Sequence, residues 1–268
     1  MNDDFIFPFG QPLQRVEQTD RRPKKVFILG VYGSAVHARW LDPAGRTLVK
    51  ALAVASEPRV FWNGSAPDAA GIIAKSHIPP KMGTLVPADE TFNGPSGQAL
   101  DDLYLTPLGF PSRDDAWLCD LVPHTCLNLR QQQALQRYHE AAQEFGLAPA
   151  HLPTAPPAPP DAARREEVLQ EIEAAQPRLI IPLGDQPLLW FLSFFQPAWE
   201  RLAGFGKGPA EYGRVHECRI QGKRYHVLPL VHPRQAGGLG LHSPVWKECH
   251  AHWARHEAGS IRHEYLGD

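Results

Sequence analysis

The chain has 268 residues, is 43% hydrophobic and 21% charged, and carries a formal net charge of -2. That composition excludes a disordered chain and supplies core enough for one large α/β domain or two small ones. The charge excludes a whole-molecule field that draws polyanions, so a nucleic-acid partner requires a local basic face; Arg21, Arg22, Lys24 and Lys25, or Arg214, Arg219, Lys223, Arg224 and Arg234, are the candidates.

Residues 1–24 read as an irregular arm, and Met1-Asn2-Asp3-Asp4 lacks the basic and apolar regions of a signal peptide. Lys25 to Gly30 is a short apolar run ending in glycine, as expected of a buried parallel strand. Val36–Leu41 and Thr47–Val54 flank Asp42-Pro43-Ala44-Gly45, which is turn chemistry, so they predict a β-hairpin. Arg59–Trp62 reads as a further edge strand. Pro67, Pro79, Pro80 and Pro87 argue against long helices up to residue 90. Gly97–Leu108 predicts an amphipathic helix and Ala116–Leu121 a second core strand. Leu129–Phe145, ending at Gly146, predicts another helix. The proline-rich stretch 149–160 predicts an extended surface loop. Asp161 is placed to cap a helix running through Ala175. Arg178–Leu183, ending at Gly184, is a third apolar strand, followed by a short helix over Gln186–Phe195. Tyr225–Val231 is the fourth strand, and Pro244–Glu257 a last helix.

Apolar strands alternating with helices predict a three-layer α/β/α fold around a mainly parallel four-stranded sheet. Ligands of such sheets bind where the strands end. Gly30, Gly33 and Ser34, then Asp120, Gly184 and His232, would all fall on that edge.

Several alternatives are weak. The four cysteines form no C-x-x-C pair, so reduced thiols in a cytoplasmic protein are the better reading than disulfides or zinc. His252 and His256 share a helix face near Cys249 and His250, but the H-E-x-x-H pattern is missing, so no metal and no cofactor is expected. Gly30-Val31-Tyr32-Gly33-Ser34 lacks the full dinucleotide spacing, and Ser34 is not in a G-x-S-x-G turn. The longest apolar stretch, Leu188–Phe195, is too short to span a bilayer.

Four segments in order carry a resemblance. They are Glu90-Thr91-Phe92-Asn93-Gly94-Pro95-Ser96-Gly97-Gln98-Ala99-Leu100-Asp101, Trp117-Leu118-Cys119-Asp120-Leu121-Val122-Pro123, Gln176–Gly184 and Val231-His232-Pro233. Together they resemble the uracil-DNA glycosylase superfamily, closest to the bacterial and archaeal branches with a phenylalanine-glycine motif. The resemblance implies one domain over 25–268, with 35–89 as an insertion, and a pocket for a base extruded from DNA. Phe92 would stack on the base and His232 would donate a hydrogen bond to its carbonyl as negative charge develops. Asp120 or Asn128 would read the base edge, and the Gly30–Ser34 loop, with Tyr32, Ser34 or the neighbouring His37, would place water. Gly94, Ser96 and Arg234 would meet the nucleic acid.

The departures set the limits of that resemblance. Val31 and Tyr32 stand where the family carries a water-directing acid or amide, and a Tyr of pKa ~10 is no general base near neutrality. Asp120 stands where an Asn is usual; when ionised it offers acceptors only, which suits an amino-bearing edge rather than uracil. Arg234 replaces the usual Ser, and the closest branch's iron–sulfur cysteines are absent. The expectation is a monomeric N-glycosidic hydrolase acting on single- or double-stranded DNA. The alternative is a catalytically weak or inactive binder of nucleic acid or a free base, with the same fold.

Overall fold

The computed structural model describes residues 5–239 and 243–267. The chain forms β1 (Val26–Gly33), β2 (Ala35–Leu41), β3 (Thr47–Ser56), α1 (Ala66–Ile73) and β4 (Thr84–Pro87). Next come α2 (Pro95–Leu100), β5 (Ala116–Thr125), α3 (Leu129–Phe145), α4 (Ala162–Ala175), β6 (Leu179–Pro182) and α5 (Asp185–Trp190). The last elements are β7 (His216–Ile220), β8 (Lys223–Val227), α6 (Pro233–Ala236), α7 (Ser243–His256) and α8 (Ala258–Ile261). They group into two compact units: 1–16, 32–95 and 123–158 in the first, 17–31, 96–122 and 159–268 in the second.

The second unit carries the main sheet, in the order β5-β1-β6-β8-β7, flanked by helices as a mixed α/β fold. β1 pairs with β6, and β6 with β8, in parallel. Val26–Leu29 and Leu179–Ile181 are wholly buried, which is why these strands read as unbroken apolar runs. The fifth strand, β7, was not expected. It joins β8 in an antiparallel hairpin across Gln221 and Gly222, both at positive φ (48° and 81°). That backbone matches a two-residue turn whose twist suits a hairpin, and the Gln-Gly pair is its faint sequence signal.

The first unit is built on a three-stranded sheet, β3-β2-β4, antiparallel throughout. The predicted hairpin is present and extends to Ser56. Its core gathers Phe9, Val36, Trp40, Leu52, Trp62, Met82 and Tyr138. Phe7 and Phe9 of the irregular arm are buried, so the arm is part of the core. The prolines restrict the helix before residue 90 to α1, with proline in its first turn.

Three local expectations are corrected. Residues 30–33 continue β1 as strand, and Ser34 alone joins β1 to β2, so Gly30–Ser34 is not a loop. Arg59–Trp62 is a turn, with Phe61 at φ 52° and the Trp62 N–H donating to Arg59 O at 3.1 Å. The helix expected over 97–108 is α2 followed by a π turn, Asp101–Leu105. Pro107 explains the break: it has no N–H for the Leu103 carbonyl, which an α-helix would bond to it.

Asn128 has a structural task. Its side chain accepts from the N–H groups of Arg130 and Gln131, and Gln131 Oε1 accepts the Asn128 N–H at 2.8 Å, a reciprocal cap on α3. Asn128→Ala is expected to cost about 1 kcal/mol. Denaturant melts should show a lower midpoint at unchanged slope; an unmoved midpoint would mean that the cap contributes nothing.

Candidate functional site

The candidate residues fall in both units. In the first unit, β1 runs out at Gly33 and Ser34. Glu57, the residue after β3, is 3% exposed, and its carboxylate accepts two backbone N–H groups. Oε1 takes the Ser34 N–H at 3.0 Å, and Oε2 the Trp62 N–H at 3.3 Å. Thr125 Oγ1 donates to the Ser34 carbonyl, so Ser34 is pinned on both backbone groups. A Cβ on Gly33 would lie 3.3 Å from the His124 carbonyl carbon and 3.4 Å from Glu57 Oε1, so glycine lets the strand and the acid approach closely.

The Phe92 turn is tied to the same cluster. Its N–H donates to Asp89 O at 2.9 Å. Asn93, 2% exposed, accepts the His37 N–H at 2.8 Å and donates to the His37 carbonyl at 2.9 Å, which binds the turn to β2. Gly94, at φ +71°, packs against Asn63 and Gly64 so closely that an added Cβ would meet the Asn63 carbonyl carbon at 2.1 Å. The Phe92 ring projects 39% exposed. One loop, Glu57–Gly64, therefore touches both the end of β1 and the turn that presents Phe92. Tyr32 is half-buried in β1 and Ser34 is exposed. His37 is buried, its imidazole lowered to about 4 by desolvation, with Nε2 2.8 Å from Gln131 Nε2.

In the second unit, Asp120 lies in the middle of β5 rather than at its end, and is 4% exposed. Arg164 of α4 secures the backbone here. Its Nη2 donates to Asp120 O at 2.7 Å and to Cys119 Sγ at 3.3 Å, while Nη1 meets Glu171 at 3.1 Å. Cys119 faces Arg164, so strand alternation turns the Asp120 side chain to the other face of the sheet. There its Oδ1 is buried without a hydrogen-bond partner. Burial raises the carboxyl from its ordinary 3.8 to about 7; the Arg164 charge opposes the rise and Glu171 adds to it.

His232 follows the last apolar run and caps α6. Its Nδ1 accepts the Arg234 N–H at 3.2 Å, so the neutral ring carries its proton on Nε2. The residue is half-buried, and desolvation, helped by the Arg234 charge, depresses its pKa to about 4. Gly184, after β6, donates its N–H to Leu230 O at 2.8 Å, and a Cβ there would touch His232 Cβ at 3.7 Å.

A relay of buried groups holds the residue before His232. Tyr104 O–H donates to Val231 O at 2.5 Å, and Val231 N–H donates to the Tyr212 hydroxyl oxygen, Oη, at 2.9 Å. Tyr212 Oη lies 2.8 Å from His250 Nδ1, and His250 Nε2 lies 2.9 Å from Leu103 O. A carbonyl only accepts, so His250 carries its proton on Nε2 and Tyr212 donates to Nδ1. The Leu103 carbonyl is the one that Pro107 leaves without a helical partner.

Gly30 lies within β1, Arg234 is exposed in the first turn of α6, and Ser96 lies in α2. The Asn128 carboxamide oxygen is committed to its cap. The His252 and His256 rings lie with centroids 4.6 Å apart, tilted at 44° to each other. Among the described residues no group of three or more His, Cys, Asp or Glu could hold a metal, and no helix is long and apolar enough to cross a membrane. Sequence reasoning missed Glu57. Its signal was an acid one serine beyond the apolar run Ala51–Ala55, before Pro58.

The Asp120 carboxyl is neutral in the folded protein up to about pH 7 but ionises near 3.8 when unfolded. Its contribution to stability is full below pH 3.8 and is lost as pH rises through 7. Asp120→Asn does not titrate. Its stability relative to wild type should therefore improve steadily from pH 4 to 7 and level off above; a difference independent of pH would contradict the assignment.

A sequence model of the Uracil DNA glycosylase superfamily matches residues 53–240, more than two thirds of the chain. A search of curated proteins finds no match. The superfamily is one of DNA-repair glycosidases that hydrolyse the bond between base and sugar. The chain belongs to the uracil-DNA glycosylase superfamily.

Proposed function

We propose that the protein is a DNA glycosylase that excises a uracil-like or otherwise modified base, working as a monomer in the cytoplasm. Phe92 stacks on the extruded base, a contact worth ~1–3 kcal/mol. The bond from C1′ to the base nitrogen breaks, the base leaves with the electron pair, and water adds its oxygen to C1′. The observation that carries this reading is the His232 tautomer. With Nδ1 accepting a backbone N–H, the ring offers Nε2–H to the carbonyl oxygen on which charge builds. A pKa of about 4 keeps the donor neutral at working pH.

Asp120 supports a substrate whose edge depends on pH. Protonated, it offers one O–H donor and one acceptor, the pattern of an amide, which suits uracil; ionised, it offers acceptors alone, which suits an amino-bearing base. Arg234 would contact a phosphate. A non-catalytic base binder is the second reading, favoured by Val31 and Tyr32, which bring no acid to the end of β1.

Oligonucleotides carrying uracil, hypoxanthine, xanthine or mismatches, treated with alkali after incubation, test the proposal. Wild type should yield abasic sites, and His232→Ala should be slower by about 10²–10³-fold. Binding without product would favour the binder; equal activity of His232→Ala would remove the proposed role of that residue. Uracil excision should decline as pH rises through about 7 in the wild type and lose that decline in Asp120→Asn.

A further inference from the structure

We infer that Glu57 is the carboxylate that orients the attacking water, supplied from outside the strand end where Val31 and Tyr32 provide none. The inference rests on the glycosylase reading. The attacked sugar carbon carries positive charge in the transition state, so a nearby carboxylate both stabilises it and takes a proton from the incoming water. Three observations place Glu57 for that task. It accepts the N–H of Ser34, and Ser34 is exposed, so the acid lies directly beneath the surface at the end of β1. It also accepts the Trp62 N–H on its other oxygen, so both oxygens are oriented by backbone N–H groups. The loop it opens continues through Asn63 and Gly64 onto Asn93 and Gly94, which fixes Glu57 and the Phe92 turn in one cluster.

In the step itself water oxygen bonds to C1′ as the base departs with the bonding pair. One water proton passes to Glu57 and from there to solvent, and the base is protonated from solvent. No oxidant, metal or cofactor enters the balance.

The test compares wild type with Glu57→Gln, which keeps the shape and one acceptor oxygen, and Glu57→Ala, assayed with and without azide. Glu57→Gln is expected to lower kcat about 10²–10⁴-fold, with KM within threefold. Glu57→Ala with azide is expected to form a strand bearing an azido-sugar, detected by mass, since a small anion can enter the space left by the acid; a side chain that only supports the fold would give no such product. If Glu57→Gln melts below the assay temperature, Glu57→Asp replaces it, and an unchanged kcat there overturns the inference. A wild type that excises bases beside an equally active, folded Glu57→Gln overturns the role of Glu57 and leaves the glycosylase reading standing. A wild type that yields no abasic site with any substrate removes both.

Discussion

Glu57 and His232 follow stretches of almost purely apolar chain and Asn93 is buried in a tight turn, and the cost of burying such polar side chains governs the local architecture. A buried polar group without a partner costs about 1–3 kcal/mol, and a charged one more. The structure answers with backbone groups. Glu57 receives two main-chain N–H groups, Asn93 exchanges bonds with both backbone groups of His37, and His232 takes the Arg234 N–H into its ring. Backbone donors are fixed by the fold, so side chains satisfied in this way are held in one orientation. The bonds that offset burial are the same bonds that fix these orientations, the condition for preorganisation in the proposed reaction.

Asp120 is the exception, and the exception carries information. The Arg164 charge lowers its pKa only in part, because the guanidinium bonds the Asp120 carbonyl, Cys119 and Glu171 instead. The carboxyl on the opposite face of β5 keeps a buried, unbonded oxygen and a pKa near neutrality. In the proposed reaction a base edge brought to the same face would supply the missing partner, while in the free protein the same carboxyl makes stability depend on pH.

Much of the fold was legible because it follows local rules. Apolar runs at 25–30, 116–121 and 178–183 marked the cores of β1, β5 and β6, turn chemistry marked the β2–β3 hairpin, and Asp161 marked the start of α4. What the sequence hid was non-local. The strand β7 is short and mixed in pattern, and only its turn betrays it. Pro107 was visible, but its effect, a π turn that aims Leu103 and Tyr104 at residues more than a hundred positions away, was not. Glu57 was concealed for the same reason. Its importance comes from the Ser34 N–H, and nothing in the residues around position 57 announces that partner.

The relay behind His232 shows how such long-range bonds have a direction. The Leu103 carbonyl admits only a donor, which fixes the proton of His250 on Nε2, makes Nδ1 an acceptor and thereby orients the Tyr212 hydroxyl. Tyr212 oxygen then accepts from Val231, whose carbonyl is held by Tyr104. Burial lowers the His250 pKa to about 4, so the arrangement stays intact through the neutral range. Protonation of His250 would convert Nδ1 into a second donor facing the Tyr212 hydroxyl, and one link would have to break. The backbone that leads into His232 is thus held on both its N–H and its C=O by groups that cannot reverse their roles. In the proposed reaction a neutral imidazole gives a hydrogen bond without surrendering its proton, and its strength depends on placement more than on charge. A rigid main chain immediately before it is the feature such a donor requires.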